Sequence, residues 1–316
     1  MMSTLFGPAV ALGDLETTLV RRESDFHDEL VPANRLQFHP TDGMLGLGGE
    51  RHRVQPHAFD QLASKLQVPV TYLRRCPHHL RATNLNFWLE DLDGDVLVRF
   101  DGEEVRAVLS DRYNPLSNLD LVRTMLTTCP PETLVRWESD PRMFAIQVLQ
   151  PHEEQALVGG MFARNSETGH TTLELNAMVY RVICTNGLIL SGGSISVVRR
   201  HTHDASKTLA EVRSTVASSW PRVGGEANRF EAMKRIRAQP VDKVFERVNS
   251  DFALNEAQTT AVSTAYQFEP GITLFDVINA YTRAGNAPAL SIEERTQLQT
   301  VGGHILSRAE NGRSWI

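Results

Sequence analysis

Between Asp95 and Arg200 the chain alternates short apolar runs with turn signals, and this succession limits the fold more than any other feature. In DVLVRFDGEEVRAVLSDRY, Val96, Val98 and Phe100 fall on one face of a strand, and Asp101-Gly102 supplies a hairpin turn. Val105, Ala107 and Leu109 then share one face of the returning strand. LVRWESD and MFAIQVLQP read as a second hairpin turned at Glu138-Ser139-Asp140-Pro141. ALVGGMFARNSETGHTTLELNAMVYRVICTNGLIL reads as two more strands around a polar loop at 164–170. One helix interrupts them: Leu119, Val122 and Leu126 recur at helical spacing behind a Ser117/Asn118 cap. The order β-β-α-β-β-β-β predicts a central, mainly antiparallel sheet with one face packed by helices.

The flanks read differently. Residues 59–89 carry Phe59, Leu62, Leu66 and Val70, then Leu80, Leu85 and Leu89, at roughly helical spacing. Pro69 and Pro77 divide this block into two or three short helices. From Asp204 onward the chain is helical, with capping signals at Asp204, at Asn255 before Glu256, and at Ser291 with Glu294. Residues 1–50 are rich in turn formers and weakly periodic, so a partly mobile arm of loops, with at most a short strand or helix, is expected. The fold class is therefore α+β. The expected division is an N-terminal arm (1–55), an α+β sheet core (56–203) and a helical region (204–316) packed on or beside the core.

Composition narrows the function. No apolar run approaches 18 residues, and the N-terminus lacks the basic and apolar segments of a signal peptide, so a cytoplasmic protein with no membrane partner is expected. Cys76, Cys129 and Cys184 are scattered and odd in number, which fits buried thiols and supports neither a disulfide framework nor a zinc ribbon. GxxxxGK[ST], GxSxG, HExxH and a strand-following GxGxxG are all missing, so no cofactor is expected and an enzyme is the lesser reading. Net charge is -6, which argues weakly against a polyanionic partner, but the asymmetry matters more. Glu23, Asp25, Asp28 and Glu29 make the start acidic, whereas residues 181–247 are mainly basic.

Four stretches carry a family likeness: VPVTYLRRCPHHLRATNLNFWL, RAVLSDRYNPLSNLDL, MVYRVICTNGLIL and LFDVINAYTRAGN. Together and in this order they resemble the phage/plasmid-like domain of unknown function family 932, over roughly residues 55–310. The resemblance implies a phage, prophage or plasmid setting, hence the host bacterial cytoplasm, and brings no catalytic residues. The succession of hairpin, helix, antiparallel strands and basic helical exit also resembles the core of RecT/ERF-type single-strand annealing proteins. That likeness implies a homo-oligomer holding single-stranded DNA in a basic groove.

The stretch VYRVICTNGLILSGGSISVVRRHTHD carries the main candidate site. Arg181, Arg199, Arg200, His201 and His203 could line a phosphate-binding groove, continued by Lys207 and Arg213 on the next helix. Gly192-Gly193 would let the backbone approach a phosphate. A tight turn at Asn186-Gly187 and a solvated helix start explain the same residues without a ligand. Arg112 and Tyr113, in the loop between a strand and a helix, could project to a ligand and are counted among the DNA-binding candidates. His201, His203 and Asp204 invite a metal, but Asp204 serves better as a helix cap, and no metal site is assigned. Cys76-Pro77-His78-His79 reads as a helix start with surface histidines. Tyr72, Arg74, Arg75, Arg81 and Trp88 mix aromatics with arginines as single-strand binders do, yet a helix burying both rings and wetting its arginines is preferred. Lys234, Arg235 and Arg237 read as a solvated face. The expectation is a DNA-binding protein acting on single strands in annealing, recombination or replication. A metal-dependent nucleic-acid-processing enzyme using His201 and His203, and a phage factor binding a host protein through its acidic start, are the alternatives.

Overall fold

The computed structural model describes residues 8–151, 155–182, 185–190 and 195–313. The chain opens with β1 (Val10–Ala11), α1 (Leu12–Arg22), β2 (Phe26–Pro32), β3 (Gln37–Phe38), β4 (Leu45–Leu47) and β5 (Glu50–Val54). The expectation of a loop-rich start is thus corrected. Leu12, Leu15 and Leu19, one face of α1, are buried in the main core. α2 (Pro56–Lys65), α3 (Val70–Arg75) and α4 (His78–Glu90) follow. Pro56 opens the first of these, and Pro69 and Pro77 immediately precede the other two, as their fixed φ favours.

β6 (Asp95–Asp101) and β7 (Glu104–Ser110) form the expected first hairpin, and α5 (Asn118–Leu126) starts where Ser117 Oγ accepts from Asp120 N at 2.9 Å. Then come β8 (Leu134–Ser139), β9 (Phe144–Leu149), β10 (Leu157–Asn165), β11 (Leu173–Arg181), β12 (Asn186–Leu190) and β13 (Ser196–Arg199). Six helices close the chain: α6 (Ala205–Ser219), α7 (Glu226–Ala232), α8 (Val241–Asp251), α9 (Glu256–Phe268), α10 (Leu274–Ala284) and α11 (Ile292–Glu310). Asp204 caps α6, and Ser291 with Glu294 forms the capping box of α11, both as expected. The fold is α+β.

The strands do not make one sheet. A seven-stranded antiparallel sheet runs β1-β8-β9-β10-β11-β12, with β13 also on β11. A six-stranded sheet runs β2-β6-β7-β5-β4-β3, and its β5–β7 pair is parallel. Nor is the larger sheet covered on one face only. Every residue of β9 and β12 is buried, which requires cover on both sides. Asn186-Gly187 is not a turn either. Both residues lie in β12, opposite Arg181 and Tyr180, and Thr185 just before them has φ +55°. Gly187 packs closely: a Cβ there would sit 2.7 Å from Gln147 Nε2, so that side chain would have to shift. Gly192, Gly193 and Cys184 lie outside the described residues, while Cys76 and Cys129 are free and buried.

Each sheet has its own apolar core. The smaller combines the six-stranded sheet with α2, α3 and α4, and the larger gathers α1, α5 and the C-terminal helices on the seven-stranded sheet. The polar loop after β10 lies between them. Arg106 of β7 donates to Glu167 Oε2 at 2.7 Å, and both side chains are 7% exposed. Asn118 N at the start of α5 donates to Glu167 Oε1 at 3.0 Å, and Arg99 of β6 donates to the Glu167 carbonyl. Burying two charges is tolerable when they are paired and hydrogen-bonded; here both Glu167 carboxylate oxygens accept a bond, and the Arg106 guanidinium also lies over the Phe26 ring at 3.8 Å.

Removing one partner strands the other. Arg106→Met is expected to cost about 3–5 kcal/mol in urea unfolding. Arg106→Met with Glu167→Gln, which keeps an acceptor for Asn118 N, should cost less than Arg106→Met alone. A double variant at least as unstable as that single one would show that the ion pair is not what the junction depends on.

Candidate nucleic-acid interface

The same junction positions the residues singled out by sequence. The loop after β10 is fixed along its whole length. Asn165 Nδ2 donates to Leu116 O and Asn118 Oδ1, Tyr113 OH donates to Ser166 O at 2.6 Å, and Ser166 Oγ donates to Arg142 O at 2.6 Å. Gln61 of α2 donates to Thr168 O, and His170 Nε2 lies 3.1 Å from Glu293 of α11. Gly169 turns this loop with φ +75°, where a Cβ would meet Leu109 Cδ2 at 2.7 Å.

Tyr113 is thereby held against the segment after β13. Its ring stacks on His201 with centroids 5.0 Å apart, and Asn114 N donates to His201 O. Two stretches 88 positions apart (201 − 113), chosen separately by sequence, therefore meet. His201 is buried, and burial, with the Arg99 charge nearby, lowers its imidazole to about 4, so the ring is neutral at pH 7. Its Nε2 has no hydrogen-bond partner among the described residues. Burial likewise raises the Tyr113 phenol, so both rings form an uncharged floor.

Around this floor Arg112, Arg200, His203 and Lys207 are exposed, and Arg213 is exposed further along α6. Arg112, Arg200, Lys207 and Arg213 make no ion pair among the described residues. Arg199 differs: it pairs with Glu211 of α6. Arg181 is elsewhere altogether. Arg199 sits opposite Leu173 at one end of β11, and Arg181 is at the other, eight residues or about 26 Å along the strand. It holds Glu269 through two bonds of 2.7 Å, in a cleft with Lys234 and Phe275. One groove from 181 to 213 is not what the chain forms. Lys234 is itself paired with Glu231.

At the Arg106–Glu167 pair lies a cavity of about 80 Å³, room for a few waters, lined also by Arg22, Asp101, Asp140 and Arg142 among others. Glu23 Oε1, close by, accepts from Leu119 N at 3.1 Å. Burial, then the neighbouring Glu167 charge, pushes the Glu23 carboxyl up to about 7. Among the described residues no three His, Cys, Asp or Glu side chains are grouped to hold a metal ion. No helix among them is long and apolar enough to cross a membrane. Sequence reasoning missed Arg99, Arg106 and Glu167 and read Glu23 only as part of an acidic surface; the one signal was the density of polar residues in NSETGH between two long strands.

The family model described as "Domain of unknown function (DUF932)" matches residues 106–303, well over half of the chain. The chain belongs to the DUF932 family. The DUF932 match begins at Arg106 and takes in Glu167, the Tyr113–His201 stack and every exposed cation of the rim. Most of the six-stranded sheet and α2, α3 and α4 precede it. No curated protein and no solved structure matches the chain significantly.

Glu23 and His201 pull the pH dependence of stability in opposite directions. The raised Glu23 pKa favours the folded state below about pH 4.5, and that contribution is lost as pH rises towards 7. The lowered His201 pKa contributes above about 6.5 and is lost as pH falls towards 4. Glu23→Gln keeps the acceptor for Leu119 N without the charge. Its melting temperature should exceed wild type near pH ~8 and converge with it near pH ~5; equal melting curves at both would refute the assignment.

Proposed function

We propose that this protein binds single-stranded nucleic acid, most simply phage or plasmid single-stranded DNA, and promotes annealing during recombination or replication without catalysing a reaction. The observation that carries the reading is the Tyr113–His201 contact, which brings two loops together and leaves Arg112, Arg200 and Lys207 exposed around one uncharged floor. Cations on separate loops can neutralise successive phosphates while the bases stay turned outward for pairing. Arg213 extends the track along α6. Because the whole chain carries a charge of -6, attraction is local and should fade quickly as salt rises. Arg181 and Arg199, each held by a glutamate, are left out of the contact set. A nuclease centred on His201 and His203 has less support, since the His201 ring is buried beneath Tyr113 rather than open to a substrate.

Fluorescence anisotropy with a labelled single strand tests this. Each phosphate contact to a single strand contributes about 0.7 to the slope of log affinity against log salt. Arg112→Ala with Arg200→Ala should therefore reduce that slope by about 1.4. Arg181→Ala, at the far end of β11, should leave it unchanged. A slope indifferent to the first pair, or sensitive to Arg181, would reject the rim as the contact surface.

A further inference from the structure

The helix α4 has two apolar faces. Ala82, Leu85 and Leu89 are buried in the smaller core. On the opposite side Leu80, Asn84, Phe87 and Trp88 recur at i, i+4, i+7 and i+8, an arc of about 100°. Leu80 is 40% exposed, Phe87 59% and Trp88 47%. The Phe87 and Trp88 rings meet edge-on at 5.1 Å, and Asn84 Nδ2 donates to the hydroxyl of Tyr72, itself 45% exposed, at 3.4 Å. This overturns the expectation that Tyr72 and Trp88 are buried, while Arg74 and Arg75 are exposed as expected. Arg74 pairs with Asp60 at the surface, and the half-buried Arg81 donates to the carbonyls of Leu73 and Cys76. A surface helix normally carries one apolar stripe, and contiguous exposed aromatics mark a contact surface.

The charges at the ends of α4 say what covers it. Arg75, His78 and His79 are exposed at its N-terminal end, and the first turn has no acidic residue. Glu90, Asp91 and Asp93 are exposed at its C-terminal end, and the last turn has no basic residue. Each end thus carries the sign that the helix dipole disfavours. The carboxylates beside Trp88 would repel a nucleic-acid strand. A second α4 running the opposite way matches every feature: aromatic stripe on aromatic stripe, basic end on acidic end, and opposed dipoles.

We infer that α4 is a two-fold interface between two copies of this chain, packed antiparallel through Tyr72, Leu80, Phe87 and Trp88. The contact is isologous, so each basic end meets the partner's acidic end twice by symmetry. It lies ahead of the segment matched by the family model and uses none of the residues proposed for nucleic acid, so either reading can fail without the other.

The full chain is examined by sedimentation velocity and light scattering at micromolar to tens of micromolar protein. Wild type should show twice the chain mass. Phe87→Glu with Trp88→Glu should be monomeric yet folded, with a far-ultraviolet circular dichroism spectrum like that of wild type, because both side chains face solvent in the single chain. Two charge reversals separate this pairing from a generic sticky face. Arg75→Glu/His79→Glu makes both ends acidic, and Glu90→Lys/Asp91→Lys makes both ends basic. Each should be monomeric alone, and mixing the two should restore a dimer containing one of each. A wild-type monomer throughout, a dimer that survives the aromatic substitutions, or reversed chains that fail to pair on mixing would each overturn the inference. So would quenching of Trp88 fluorescence by a single strand bound to a monomeric chain.

Discussion

The buried pair of Arg106 and Glu167 is the constraint around which the molecule is arranged. Its two charges come from different sheets' territory, one from β7 and one from the loop after β10. Neither could be withdrawn from water without the other, nor without the backbone donor of Asn118 and the Arg99 bond to the same glutamate. The start of α5 is fixed by this carboxylate and by Glu23, and α5 in turn packs on α1. Two cores that could each drift are referred to one electrostatic point.

Much of the fold was legible because its information is local. Hairpins at 95–110 and 134–149 follow from alternation and turn chemistry, and helices with Ser, Asp or Asn caps declare their own first turns. The division of strands between two sheets was not legible. Alternation shows that a strand has an inside face, and it is silent on which sheet supplies its neighbours. The parallel partnership of β5 with β7 spans α2, α3, α4 and β6, so no turn signal marks it. β2 is an edge strand, FHDELVP, with nearly every residue exposed, and it lacks the apolar period by which strands are recognised. α1 was readable from Leu12, Leu15 and Leu19, but the turn formers around it outweighed them.

The candidate site was half legible for the same reason. Residue types pointed to Arg112, Tyr113, Arg200 and His201, yet their meeting depends on a tertiary stack that spacing cannot encode. Sequence proximity misled for Arg181, because β11 carries it the length of a strand away from Arg199. Glu167 sits in a run of small polar residues that looks like any solvated loop. Only its neighbours in space reveal a buried carboxylate. Tyr72 and Trp88 were assigned to the interior on average preference, and average preference does not know that α4 already has a buried face.

The junction loop has a consequence for the order in which the chain can mature on the ribosome. Arg106 finds Glu167 across 61 positions of sequence, His57 finds Thr168 across 111, and His170 finds Glu293 across 123. The six-stranded sheet is complete in sequence at Ser110, well before its polar partners have been synthesised. During that interval two arginines destined for burial face water and their sheet lacks its seal. The last of these contacts waits for α11. Such long-range closure makes slow, late consolidation the natural course, with the nascent N-terminal third the stretch most in need of protection from aggregation.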